Sequence, residues 1–412
     1  MDSINYTLNE EQKMMQEQAR KFAMAEIRPA ELALDKIPDS EETFKSDIYK
    51  EIKKRVYQMG YHKLRVPEKF GGLGLGSLST QIVTEELAVG GVGLAHSILP
   101  LGVTAMVVCM LGNMPGAQEL IERFVLPFTN DTEGKISGCI AFTEPDYGSD
   151  LLTGSGTITT TARKDGGDWI INGAKAQWIS NGTSATDIMA IVKIASGDNA
   201  GNSAIFVIPS DTKGVSKGKP ADKIGERAKN QTEIFFDDVR VPERYKIDIG
   251  FDGLFKENFL CMGNTNVGTC MLGLVRAAYE DALEYAKVRI QGGKPIIEHQ
   301  VMAMKLMDAY RIIEGSRALL WKSGWMIDKM TEQGSVVRGD LRIAAGARSF
   351  ICNQGMRVIS EMAQIFGGYG LTKEYPVEKY LRDAKALAIA DGTCEVVSLL
   401  AAEHLGEPNK LL

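Results

Sequence analysis

The sequence predicts an α+β protein in three parts: an N-terminal helical domain, a middle antiparallel β-sandwich or barrel, and a C-terminal helical domain like a four-helix bundle. Three observations predict it. The chain has 412 residues, beyond the roughly 250–300 at which a single hydrophobic core stops growing. Apolar spacing changes from the helical to the strand period near Lys135 and changes back after about Gly250. Hydrophobic residues make up 44% and charged residues 24%, which suits packed cores and excludes a disordered chain. The expected boundaries are 1–134, 135–246 and 247–412.

In the first part, Asn9 and Gln12 have capping-box spacing ahead of a helical run expected to end near Pro29. A second amphipathic run covers Ser46–Met59, and PEKFGGLGLG (Pro67–Gly76) reads as a loop. Helices resume from Leu78 to about Phe128. In the middle part, Ser155–Lys164 alternates as a strand does, DGGD (Asp165–Asp168) signals a turn, and Trp169–Ile171 resumes the extended run. Asp187–Ile194, Ala204–Ile208 and Glu233–Val239 complete the expected strands. In the last part, Asn264–Arg289, His299–Glu332 and Leu341–Gly367 each run beyond twenty residues with apolar stripes, the mark of a bundle.

The charge balance is 47 Lys+Arg against 53 Asp+Glu, a net −6. That argues against nucleic acid or an anionic membrane as the main partner, since both need a basic field. Leu87–Met114 carries no charge and is long enough to span a bilayer. Its glycines, Pro100 and central His96 and Ser97 favour two core helices joined by a bend, not membrane insertion. The N-terminus lacks a basic region followed by an apolar core, so no secretory signal is expected. Six cysteines without a C-x-x-C pair read as buried reduced thiols, and a cytoplasmic location follows. Four histidines without H-E-x-x-H predict no metal centre, and neither a P-loop nor a G-x-G-x-x-G is present.

Three segments combine glycines, hydroxyls and carboxylates beyond what packing requires. They are AFTEPDYGSD (Ala141–Asp150), QWISNG (Gln177–Gly182), and QIFGGYG (Gln364–Gly370) followed by ADGTCE (Ala390–Glu395). Amides bared by glycine, with nearby hydroxyls, can bond a planar heterocycle. With GGKPIIEHQ and EYPVEKYLRDAK, and with the order of domains, nearly the whole chain resembles the acyl-CoA dehydrogenases, flavoproteins that desaturate acyl thioesters between the α and β carbons.

The resemblance implies FAD held between the β domain and the C-terminal helices at a subunit contact. Thr143 and Ser149 would flank the flavin, Trp178 would pack on it and Ser180 would face its N5 edge. Arg289 would pair with a neighbouring subunit's pyrophosphate, with Gln291 close by. Gln364, Gly367 and Gly368 would approach the adenosine from another subunit, and Thr393 and Glu395 would complete the cofactor contacts. The acyl-CoA would meet Ser149, His96, Asn264, Gly392 and Arg227, although Arg227 reads equally as a structural arginine. A homotetramer and an electron-transferring flavoprotein as acceptor are the implied partners.

Most of the family uses Glu in an E-G-T triplet as the base, and here the triplet is Asp391-Gly392-Thr393. Asp391 is therefore the expected base, in a dry site that lifts its pKa toward neutrality. It is also expected to cap the following helix. An alternative position used by some members holds Gly263, Asn264 stands where Arg is common, and Gly292 replaces an aromatic residue. Small Ala390 and the short Asp predict a branched, cyclic or aryl-bearing acyl group. Competing readings are a nitroalkane-oxidase-like flavin oxidase, an enoyl-CoA reductase running the reaction backwards, and a flavin-binding protein without catalysis.

Overall fold

The computed structural model describes residues 7–407 except 113–115, 198, 248–250, 252 and 334–338. The Asn9–Gln12 capping box forms in both directions and starts the Glu10–Phe22 helix. The helix does not stop at Pro29. A π turn over Ala23–Ile27 leads into a further helix, Arg28–Asp35, which carries Pro29 in its first turn. The Ser46 hydroxyl caps Asp47–Gln58.

Within the charge-free stretch, residues 87–90 finish the Ser77–Gly90 helix, and two further buried helices follow, Val92–Leu101 and Val103–Met110, joined at Gly102. Together they reach a mean hydropathy of 1.9 over a window that is 78% buried, a core pair by packing. The last positions of that stretch, 113–114, lie outside the described residues.

The middle part is an eight-stranded sheet: β1 Gly138–Ala141, β2 Thr161–Asp165, β3 Asp168–Ser180, β4 Asp187–Ile194, β5 Ser203–Pro209, β6 Val215–Lys217, β7 Gln231–Pro242 and β8 Lys246–Ile247. The order is β6-β7-β3-β2-β4-β5-β8, with β1 also on β4. The expected all-antiparallel sheet is in fact mixed, because one edge of β4 takes β1 and then β2 in parallel. Nor does Ser155–Thr160 pair as a strand. The amides of Thr159 and Thr160 donate instead to the buried Glu144 carboxylate, at 2.6 and 2.9 Å. Gly166, at φ +62°, makes the tight β2–β3 turn.

Side chains of β4 alternate between two cores, as a period of two dictates. Met189 and Ile191 join the helical core, while Ile188, Ala190 and Val192 pack within the sheet's own.

The C-terminal part packs Gly253–Val288, Gln300–Glu332, Leu341–Ile365 and Val377–Ile389. Arg276 and Arg317 reach across to the buried Glu85 on the Ser77–Gly90 helix, tying first part to last. All six cysteines are free thiols.

Candidate active site

Asp391 sits at a corner of the backbone with φ +54°, followed by Gly392 at +93°. A non-glycine residue in the left-handed region is held there by its surroundings. The holder is Arg348, fully buried on the Leu341–Ile365 helix. Its guanidinium donates to the carbonyls of Ala390, Asp391 and Gly392, and to Asn264 Oδ1 at 3.0 Å. Asn264 Nδ2 donates to Leu260 O at 2.8 Å, so its amide is engaged within the protein at both ends. Asp391 does not cap the next helix. Thr393 is the N-cap of Cys394–Ala402, accepting from Val396 N, and this frees the Asp391 carboxylate for other contacts.

Behind that carboxylate lies a buried ionic cluster. His96 Nε2 is 3.9 Å from Asp391 Oδ2, and Nδ1 is 2.6 Å from Glu226 Oε1. Lys229 Nζ lies 2.9 and 3.2 Å from the two ring nitrogens. The chain of contacts continues inward. Glu226 N donates to Asp383 Oδ1 at 2.6 Å, and Lys379 Nζ donates to Asp383 Oδ2 and to Glu31 Oε1 at 2.5 and 2.8 Å. Glu31 accepts from the amides of Gly93 and Leu94, at the start of the helix that carries His96. A Cβ at Gly93 would come within 2.7 Å of Glu31 Oε1 and push that carboxylate aside.

The expected lift of Asp391 toward neutrality is not what this arrangement produces. Burial acts to raise its pKa, but His96, Lys229 and Arg348 together hold the carboxylate well below its ordinary range. The side chain is 52% exposed in the isolated chain, with one side open and the other on the cluster. His96 responds oppositely. Burial and Lys229 push its pKa down, while Glu226 and Asp391 outweigh them and raise it.

The segments TEPDYGSD and QWISNG converge on the same corner. The register of β3 against β7 shifts between Lys175 and Ile179, a bulge that leaves Trp178 50% exposed. Ala176 N, just ahead of QWISNG, donates to Thr143 O at 2.9 Å and brings that segment beside TEPDYGSD. Thr393 N donates to Ser149 Oγ at 3.1 Å, joining TEPDYGSD to the Asp391 loop. The hydroxyls of Thr143 and Ser180 make no hydrogen bond among the described residues, and Gly148 has open space around it. An exposed indole, idle hydroxyls and a bare glycine fit a planar heterocycle of flavin type.

Models of the acyl-CoA dehydrogenase N-terminal, middle and C-terminal domains match residues 9–130, 139–239 and 254–406. The chain belongs to the acyl-CoA dehydrogenase family. It is 31% identical over 411 residues to a probable acyl-CoA dehydrogenase of Bacillus subtilis, YngJ, covering 98% of this chain and 100% of that one. Its fold matches butyryl-CoA dehydrogenase of Megasphaera elsdenii with a TM-score of 0.83 at 28% identity, over 98% and 100% of the two chains. An electron-transferring flavoprotein structure from Acidaminococcus fermentans, concerned with flavin-based electron bifurcation, matches with a TM-score of 0.85 at 26% identity, over 98% and 100%.

Most other residues that the family resemblance singled out make few contacts within the chain. Arg289 stands over the Tyr369 ring at 5.9 Å, beside exposed Gln364, Gly367 and Gly368, and a Cβ on either glycine would meet open space. Gln291 is exposed on the hairpin that follows the Gly253–Val288 helix, and Glu395 is exposed one residue beyond Cys394. Arg227 serves as a clamp. Its guanidinium donates to the carbonyls of Ile37 and Pro38 and to Asp222, each at 2.8 Å.

Sequence reasoning missed Arg348, Glu226 and Lys229. Arg348 left a signal, because it falls on the buried stripe of Leu341, Ala344, Ala345, Ile351, Cys352 and Gly355, where only a paired charge is tolerated.

Proposed function

We propose that this chain is an FAD-dependent acyl-CoA dehydrogenase in which Asp391 takes the α-proton of the thioester. The observation that carries the reading is the Asp391 corner. Its carboxylate is open on one side, its backbone is clamped by Arg348, and its loop is hydrogen-bonded through Thr393 and Ser149 to the segment carrying Thr143.

FAD, when bound, supplies the acceptor for the β-hydrogen. Thr143, Ser149, Trp178 and Ser180 would hold its ring, and Arg289, Gln291, Gln364, Gly367, Gly368, Thr393 and Glu395 its remaining parts. The chain's own task is the proton. The Cα–H bond breaks, the proton joins an Asp391 oxygen, and the electron pair enters the new C=C bond as the β-hydrogen departs with its own pair. The clamp keeps the short aspartate aimed, which matters because an error of about 1 Å costs on the order of a hundredfold.

A branched, cyclic or aryl-bearing acyl group is supported by Ala390 and by Gly263, where a Cβ would meet nothing within 4 Å. A carboxylate with depressed basicity also favours an activated α-hydrogen. The same feature keeps the nitroalkane-oxidase-like reading in play, since a weak base suits an acidic carbon acid. The likeness to the bifurcation-related flavoprotein favours, as a further reading, the reverse enoyl-CoA reduction. Electron-transferring flavoprotein as partner and a cytoplasmic location belong to the proposal. So does a homotetramer, supported by the exposed apolar row Val301, Met304 and Met307 on the Gln300–Glu332 helix.

The test is anaerobic flavin bleaching against a panel of straight, branched, cyclic and aryl acyl-CoAs. Asp391→Asn should slow it at least about a hundredfold with FAD content retained. Bleaching at the normal rate in that variant would remove Asp391 from the role.

A further inference from the structure

The buried cluster behind Asp391 is not explained by packing. His96, Glu226 and Lys229 have side chains 1%, 3% and 1% exposed, and a buried ionic group is usually no more stabilising than an apolar one of equal size. Glu226 also adopts φ +47°, a second left-handed non-glycine residue within the same cluster. Two such corners facing one imidazole mark a place where geometry is being held.

We propose that His96 is a positioning residue for the reaction: braced by Glu226 and Lys229, its imidazole is coupled through Nε2 to Asp391, so that the proton acceptor is a carboxylate–imidazole pair and not a lone aspartate. This rests on the reading of Asp391 as the base.

The geometry carries it as follows. The helix bearing His96 is anchored at its N-terminus by Glu31, so the imidazole is fixed at its root. Glu226 fixes the ring's rotation by engaging Nδ1, and its own backbone is pinned by Asp383. The remaining nitrogen then lies between Lys229 Nζ at 3.2 Å and Asp391 Oδ2 at 3.9 Å. The groups facing the ring from every side are Glu226 and Lys229, with Lys223 beside them, Asp391 under Arg348, and the Lys379–Asp383–Glu31 relay behind. Buried Cys270 also adjoins these charges.

Coupling between two sites is reciprocal. An ionised Asp391 favours a proton on His96, and a protonated His96 favours the ionised Asp391, in line with the opposite directions in which the two are displaced. When the α-proton arrives on the Asp391 oxygen, His96 loses one of its two anionic partners while Lys229 remains. The pair therefore binds its second proton more weakly than its first. A base tuned in this way returns its proton readily for the next turnover.

The experiment uses the full FAD-loaded chain with nitrogen-15 in its histidines. There are four, His62, His96, His299 and His404, and His96→Gln identifies the signal of interest. In the unsubstituted protein His96 should hold its proton to a pH above the ordinary histidine value. Asp391→Asn, which leaves the buried cluster intact, should lower that titration by at least about one unit. In parallel, His96→Gln should move the acid limb of the kcat/KM profile upward, because burial then acts on Asp391 with only Lys229 and Arg348 left to oppose it. His96→Asn, shorter and equally uncharged, replaces it in this arm should the His96→Gln variant not fold.

A His96 titration that Asp391→Asn leaves unmoved would overturn the proposal. So would an acid limb unchanged in the cluster variant. Failure of the base assignment reads out separately, as normal flavin bleaching in Asp391→Asn.

Discussion

His62 and His96 are 4% and 1% exposed, and both stand on helical segments of the N-terminal part. His62 is stacked on Tyr57 with ring centroids 4.0 Å apart, and Phe128 meets it edge-on at 5.1 Å. Neither of its nitrogens has a partner in hydrogen-bond geometry. A cavity of about 20 Å³ lined by Tyr61, His62, Arg65 and Thr84 adjoins it, room for a single water. Burial there pushes its pKa down to about 4, helped by Lys63 and only weakly opposed by Asp131 and the Phe128 carbonyl. His96, more deeply buried, is driven the other way by Glu226 and Asp391. Burial therefore does not decide a histidine's charge; what faces the ring does. Only the imidazole faced by carboxylates can answer to a proton moving at Asp391.

The sharpest way to break that contrast is to remove the anion at the centre of the His96 cluster. Glu226 is held down to about 2: burial opposes ionisation, but Lys229 and His96 overcome it. Glu226→Gln keeps the shape and strips the charge, leaving Lys229 and His96 facing each other without an anion between them. Breaking a buried pair from one side costs about 3–5 kcal/mol, so denaturant unfolding should show a loss of that size. A loss below about 1 kcal/mol would mean that the cluster does not hold paired charges.

These differences explain what was legible in the sequence. Local features were legible: the Asn9–Gln12 box, the Ser46 cap, the two-glycine turn before β3, and the long C-terminal stripes all depend on neighbours within a few positions. The Asp391-Gly392-Thr393 triplet was legible as a candidate, being three neighbouring residues. Its surroundings were not. Residues 96, 226 with 229, 348 and 391 come from four separated places, and no periodicity connects them. The pKa expectation failed for the same reason, because burial could be anticipated and the opposing cations could not. The sheet was misread where a distant side chain intervened, as when Glu144 took the amides of Thr159 and Thr160.

A smaller effect should separate the two histidines by pH. The folded pKa of His62 lies below its unfolded value, so the unfolded chain binds more protons between about pH 4 and 6.5. The stability it contributes is fully present above about pH 6.5 and falls as pH drops toward 4, by up to about 3 kcal/mol. For His96 the sign is opposite: its folded pKa is raised, so its contribution is present below about pH 6.5 and lost as pH rises through the folded value. Denaturation midpoints between pH 5 and 8 should therefore keep an alkaline slope, and lose most of the acid one, in His62→Phe. An acid slope unchanged in that variant would place its source in other groups.

The smallest expected effect is that same substitution at pH 8. His62 is already neutral there, so no charge is lost. Phe can keep the stack on Tyr57 and the edge contact with Phe128, which are the native ring's main partners. It also removes two buried nitrogens with no protein partner, each of which costs about 1–3 kcal/mol when unmatched by water. Against this, the larger ring presses on the small adjoining cavity, and overpacking costs about 1–3 kcal/mol. The two nearly cancel, and unfolding free energy should change by no more than about 1 kcal/mol, with flavin bleaching unaffected. A loss near that predicted for Glu226→Gln would show that His62 has an unseen polar partner, and that the two histidines are less different than their neighbours make them.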